Sequence, residues 1–222
     1  MGTNGRRGIG RSWRGGAALA ASGLLLVGAA RLGRNAGALP SEVAATLPGD
    51  DLAPAATSVT TRAVEIAAPP AAVWPWLVQM GYGRGGWYAI DALERLLGVG
   101  EFATGGSADR VVEELQGLQL GDRVPLSEDL HLVVAHLDPA RALVLVLPAG
   151  PLRWVWSFVL FPRGGAEGTP VTGTRLVVRT RMGAAAGWVR PLVPPLKVGH
   201  AVMELVQLTR LRRRIETAGA TR

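Results

Sequence analysis

The chain contains no cysteine, which excludes a disulfide framework, a thiolate metal site and a cysteine nucleophile. Lysine is almost absent as well. One Lys (Lys197) stands against 23 Arg, so a pI near 11.2 reflects a general bias toward arginine as much as any design for charge. The first 41 residues have no acid at all and six arginines, Arg6, Arg7, Arg11, Arg14, Arg31 and Arg34. Residues 42–196 carry 12 Arg against 15 Asp and Glu, a balance of −3, and residues 197–222 return to +4. A nucleic-acid binder needs a basic face on its folded body to displace counterions from phosphates. A slightly acidic body speaks against that class.

The run Gly15 to Ala30 has no charge and is fenced by Arg14 and Arg31. A helix of that length spans about 24 Å, short of the ~30 Å hydrocarbon core of a bilayer. Trp13 and Leu32 extend it, and the two flanking arginines reach headgroups with their side-chain stems. Residues 13–32 therefore read as a single-pass anchor to the cell membrane, preceded by a basic tail, 1–12. The small residues Ala36-Gly37-Ala38 also suit a signal peptidase, although Arg31 and Arg34 between core and site oppose cleavage. Four arginines before the run and two after favour a cytoplasmic N-terminus by a narrow margin, so the side of the folded domain stays open.

Residues 33–56 hold Pro40, Pro48 and Pro54 with no sustained apolar period, the pattern of a linker. The folded domain is expected over 57–218, with 219–222 as a tail. Ser58 to Ala67 alternates as a strand. Pro69-Pro70 opens a helix over 71–80, and Ala89 to Leu97 a second one, with Asp91 and Arg95 as an i,i+4 pair. Strands follow at 121–126, 131–137, 142–147, 152–161 and 171–181, with the turn signal Asp138-Pro139 between two of them. A long helix closes the chain from Pro195 to Glu216. Its apolar stripe runs through Val198, Ala201 or Val202, Leu205, Leu208, Leu211 and Ile215, which leaves Glu204 on the solvated face. This order is α+β: a curved antiparallel sheet around a C-terminal helix.

The stretches VEIAAPPAAVWPWLVQMG (64–81), GRGGWYAIDALERL (83–96), LQLGDRVPL (118–126) and GHAVMELVQLTRLRRRIE (199–216) resemble those of the START-like, or SRPBCC, superfamily of polyketide cyclases and lipid-transfer domains. The resemblance implies a helix-grip fold with an apolar tunnel between helix and sheet, and a hydrophobic or aromatic small molecule, or a lipid, as partner. It implies that Trp87, Tyr88 and Arg84 sit at the tunnel mouth. Trp154, Trp156 and Phe158 share one strand face by alternation, and with Met80 and Met203 they complete the expected ligand contacts.

Chemistry is less marked. Gly81 to Gly86 is glycine-rich but follows a helix and lacks the Gly-Lys-Ser/Thr ending of a phosphate loop. His131 and His136 have opposite strand parity, so no metal site is expected, and no cofactor. His200, Asp91 and Gln79 are the candidate catalytic groups for a cyclase, dehydratase or isomerase, a reaction class the resemblance permits. A third reading is an adaptor whose Arg210 to Arg214 cluster docks on anionic lipid.

Overall fold

The computed structural model describes residues 33–89, 106–148, 150–165 and 169–220. The expected anchor at 13–32, the basic tail and the helix carrying Asp91 lie outside them. Six antiparallel strands form one open sheet: β1 (Ser58–Ile66), β2 (Arg123–Pro125), β3 (His131–Asp138), β4 (Ala142–Val146), β5 (Leu152–Gly164) and β6 (Val171–Ala184), in the order β1-β6-β5-β4-β3-β2. Short helix α1 (Pro40–Ala44) precedes the sheet, and α2 (Pro70–Val78) follows β1. Helix α3 runs from Val193 to Ala220, about 42 Å at the usual rise, and crosses the concave face. Among the described residues no helix is long and apolar enough to cross a membrane.

Strand alternation sorts side chains cleanly between two faces. Ile66, Trp156, Phe158, Leu160, Leu176 and Val178 point toward α3, where they meet Leu208, Leu211 and Ile215 in the main core. Each such buried side chain contributes about 1.5–3 kcal/mol. The opposite face of β6 carries Arg175, Arg179 and Arg181, all largely buried. Three guanidiniums cannot be buried without acceptors, and their partners come from an unexpected place.

Residues 33–56, expected as a linker, lie as a strap across this outer face. Arg175 forks onto both carboxylate oxygens of Glu42 at 2.8 Å and reaches the Gly37 carbonyl at 2.6 Å. Arg179 donates to Asp50 Oδ2 at 2.6 Å, to the carbonyls of Glu42, Val43 and Ala45, and to Thr61 Oγ1. Arg181 bonds Asp50 Oδ1 and the Ala53 carbonyl. Leu47 packs with Val159 and Val177, and Ala53 with Val144 and Val155, so the strap buries apolar groups too. The fork from Arg175 holds the Glu42 carboxyl below its ordinary range against the upward push of burial. Proline content suggested an extended spacer, but the prolines shape a chain whose acids are fixed by arginines more than 120 residues away.

Arg179→Ala should leave Asp50 and three strap carbonyls without their main donor and lower unfolding stability by about 3–5 kcal/mol, the range for breaking a buried pair. Urea unfolding reads the loss, and limited proteolysis should cut first within 36–56. Unchanged protection of that segment would show that the arginines do not hold the strap.

Candidate functional site

The site begins with one row across the sheet. Thr60 pairs with Thr180, and Thr180 with Trp156, so three inward-facing residues lie side by side on β1, β6 and β5. Glu204 of α3 sits over them. Its Oε1 accepts from Trp156 Nε1 at 3.0 Å and from Thr180 Oγ1 at 3.2 Å, and its Oε2 pairs with Arg62 Nη1. Arg62, two residues along β1 from Thr60, also donates from Nε to the Gly33 carbonyl at 2.7 Å. Both ionic side chains are almost completely buried. Burial pushes the Glu204 carboxyl up, opposed by Arg62 and by the hydrogen bonds from Trp156 and Thr180.

The expectation of a solvated Glu204 is therefore wrong, and the reason is rotational. The buried line on α3 is Ala201, Glu204, Gln207, Leu208, Leu211 and Ile215, which takes Glu204 in place of the neighbouring Leu205. One residue is about 100° on a helix, and Leu205 was the more apolar choice. The available signal was Arg62, a charged residue on the inward parity of β1, which demanded a buried acid somewhere opposite.

One turn before Glu204 lies His200. Its Nδ1 is 3.8 Å from Glu204 Oε2, and its ring stands edge-on to Trp154 and Trp156 with centroids 5.0 and 4.9 Å away. Its side chain is only 10% exposed. Burial, with the Arg62 charge adding to it, pushes the imidazole down to about 3, so it is neutral at pH 7. His200 Nε2 and Arg62 Nη2 are buried without a hydrogen-bond partner. Both residues line a cavity of about 530 Å³ between the β1–β6 end of the sheet and the first turns of α3, together with Thr60, Thr180, Met182 and Ala201.

The eight residues expected to touch a ligand stand elsewhere. Trp87, Trp156 and Trp154 form a stacked column, with ring centroids 5.3 and 5.9 Å apart, and Phe158 tilts against Trp156. Met80 is buried in the same core, and Met203 packs against it half-buried. None of these lines the 530 Å³ cavity; they build the wall behind His200. Trp87 and Trp154 each keep an indole N–H without a partner.

Arg84 and Tyr88, expected at a rim, are framework. Arg84 donates to the carbonyls of Val78, Met80 and Leu115, closing the C-terminal end of α2 where a cation suits the helix dipole. Tyr88 is fully buried in the left-handed region at φ 57, and burial pushes its phenol up to about 12. Gln79 is satisfied throughout. Its Nε2 donates to Tyr88 Oη and the Arg110 carbonyl, while Oε1 accepts from Val112 N–H. The glycines permit this packing: Gly81 at φ 132 and Gly86 at φ 74 bridge to each other, and a Cβ on Gly86 would fall 2.7 Å from Ser107 Oγ. Of the two catalytic candidates among the described residues, His200 lines the cavity and Gln79 does not.

At the far end of α3, Arg210 and Arg214 donate to the carbonyls of Ala89, Ser107 and Ala108. Arg214 also lies 5.6 Å over the Tyr88 ring. Two members of the basic cluster thus tie loops to the helix. Among the described residues no three potential metal ligands cluster.

An antiparallel sheet closed by one long C-terminal helix is the helix-grip arrangement. Solved structures with a similar chain course include protein NE0264 from Nitrosomonas europaea, at 15% identity over 73% of this chain and 96% of that one, with a TM-score of 0.45. A START superfamily protein from Mycobacterium smegmatis matches at 16% identity over 72% of this chain and 98% of that one, with a TM-score of 0.38. DynU16, a putative protein of the dynemicin biosynthetic locus, matches at 21% identity over 72% of this chain and 48% of that one, with a TM-score of 0.41. At such identities the likeness concerns fold and extends to no ligand or reaction. No family model and no curated protein matches the sequence.

Glu204→Leu should strand the buried Arg62 charge and cost about 3–5 kcal/mol, while Arg62→Met combined with Glu204→Leu should recover most of that loss. Urea unfolding of the three chains distinguishes a buried pair from two independent residues. His200 adds a pH effect. Its ordinary value is 6.5 and its folded value about 3, so between them only the unfolded chain takes the proton. Stability is full above pH 6.5 and falls by up to about 1.4 kcal/mol per pH unit on acidification toward 3. The raised Glu204 carboxyl works in the opposite sense, losing stability as pH rises above 4.5. His200→Phe should flatten the imidazole contribution alone, and an unaltered profile would place that proton elsewhere.

Proposed function

We propose that the protein is a membrane-tethered carrier or sensor that binds a hydrophobic or aromatic small molecule in the cavity beside His200. The observation that supports this reading most directly is a 530 Å³ space lined by Arg62 and His200, each of which keeps a buried nitrogen without a partner, Nη2 and Nε2. The volume lies within the ~300–1,000 Å³ of small-molecule pockets. Buried polar atoms rarely stay unpaired. Arg62 Nη2 calls for an acceptor, while the neutral His200, with Nδ1 turned to the Glu204 carboxylate, offers Nε2 as an acceptor that calls for a donor. A hydroxyl on an otherwise apolar ligand answers both. The tether rests on the uncharged run at 15–30.

Binding is favoured over cyclase or dehydratase chemistry by the state of the two ionisable groups. A general base works best with a pKa near the operating pH. An imidazole at about 3 takes up protons poorly at pH 7. Glu204 is occupied by three donors.

Protein solubilised in detergent from its native source should release a small apolar compound on organic extraction, and native mass spectrometry should show its mass bound one to one. Val198→Trp, at the half-buried cavity wall, should lower occupancy at least about tenfold, since an added indole fills much of a space of this size. A wild-type chain that carries nothing and takes up no apolar probe would end this reading.

A further inference from the structure

The approach to the cavity carries an apolar surface that no described part of the fold covers. From Met182 to Met203 the sequence has no Asp or Glu, and its only charges are Arg190 and Lys197. Within it Trp188 is 69% exposed, Leu192 49% and Leu196 47%. They follow one another in steps of four through the 3-10 turn Gly187–Leu192 and into the first turn of α3. Val189 and Val193 point inward and are buried, so the turn is seated on the body while its apolar side faces out. Pro194, Pro195, Lys197 and Val198 line the cavity. Leu192 and Leu196 thus flank these lining residues in sequence, at the edge, or lip, of the opening, with Trp188 one step of four before them.

The charged residues of this stretch and of the cavity lining are all basic. Arg190 is exposed, Lys197 lines the opening, and Arg34 lines it from the side of the strap, where its Nε donates to the Val59 carbonyl. An exposed Trp and two Leu in an acid-free stretch, with Arg190 and Lys197 among them and Arg34 on the same cavity, match an anionic lipid interface. There an indole sits at headgroup depth, aliphatic side chains enter the acyl boundary, and basic groups meet lipid phosphates. The start of the strap agrees. Gly33 is buried, with its carbonyl held by Arg62, and the uncharged run ends only three residues earlier, at Ala30. Only Arg31 and Leu32 separate that run from Gly33 in the sequence.

We propose that Trp188, Leu192 and Leu196, with Arg34, Arg190 and Lys197, seat on an anionic bilayer surface so that the cavity opens toward the lipid. The tether of the preceding section is part of this picture, but the seating is a separate contact. It also reverses the adaptor expectation, because the docking end of α3 is its first turn and not the Arg210 to Arg214 cluster.

The absence of cysteine allows a clean test on the full chain. Leu192→Cys, and separately Leu120→Cys in the exposed turn before the opposite edge strand β2, each receive an environment-sensitive nitrobenzoxadiazole label. The proteins are then reconstituted into phosphatidylcholine vesicles with and without phosphatidylserine. The label at 192 should shift to the blue and be quenched by acyl-chain spin-labelled lipid, more so with phosphatidylserine, while the label at 120 stays aqueous. Arg190→Gln with Lys197→Gln should weaken the phosphatidylserine-dependent seating about tenfold or more. Equal signals from 192 and 120 overturn the proposal, as does a chain that fails to float with vesicles. A 192 label already blue in detergent without lipid also overturns it, because the lip would then be covered by protein. Ligand release from detergent-solubilised protein reports on the cavity independently, so loss of seating with retained ligand separates this failure from that of the carrier reading.

Discussion

The contact between Arg62 and Glu204 joins the long helix, three strands and the strap at one point. Through one carboxylate, α3 is bonded to β5 at Trp156, β6 at Thr180 and β1 at Arg62, and through Arg62 Nε the same centre reaches the strap at Gly33. Apolar packing can hold a helix on a sheet at many sliding positions, because it is non-directional. A carboxylate with three fixed donors defines one. The desolvation of both charges offsets much of their attraction, so the pair adds little net stability over an apolar substitute. Its consequence is position: the first turns of α3 are kept over the β1–β6 end of the sheet with a space between them.

That space survives because β6 serves two layers at once. Its inward parity, Thr174, Leu176, Val178, Thr180 and Met182, faces the core and cavity, while its outward parity carries Arg175, Arg179 and Arg181 into the strap. The strap covers the convex face and fixes the strand from behind. With β1 and β6 tied on both sides, by acids of the strap outside and by Glu204 inside, the sheet does not need to close onto the helix to be stable. The proposed carrier role would need this rigidity, since a wall that collapsed in the absence of ligand would add the work of reopening to each binding event.

The elements were largely legible because they depend on local periodicity. Each strand was placed within a few residues, and the common inward face of Trp154, Trp156 and Phe158 followed from alternation alone. What escaped were features set by distant partners. The strap has the composition of a linker, and it becomes structure through Glu42 and Asp50, met by arginines of β6, and through Leu47 and Ala53 packed on the sheet. The stripe on α3 was read one residue off because Leu205 outweighed Glu204 when helix and sheet were considered apart. The cavity itself leaves no periodic trace, since it is a place where side chains stop short. Gln79, Arg84 and Tyr88 looked functional because polar groups among glycines suggest a mouth; they are internal scaffolding for the segment after α2, a role that requires knowing which carbonyls come near.

The electrostatics of the cavity lining narrow the chemistry that it can recognise. Arg62 brings a positive charge, but Glu204 compensates it at contact distance, and His200 adds none because its imidazole is held neutral. Beside that compensated pair the lining also holds Arg34 and Lys197, so uncompensated positive charge sits at the opening and not at the inner wall. An anionic ligand would gain little attraction from an arginine already paired, and it would also meet the repulsion of Glu204 in a medium where screening is weak. A neutral phenol or alcohol, whose hydroxyl both accepts and donates, would meet these groups without that repulsion. The same reasoning explains why the basic groups gather at the lip, as Arg34, Arg190 and Lys197, rather than inside: cations at an aqueous or lipid boundary keep their hydration, whereas a second buried arginine would need a second buried acid.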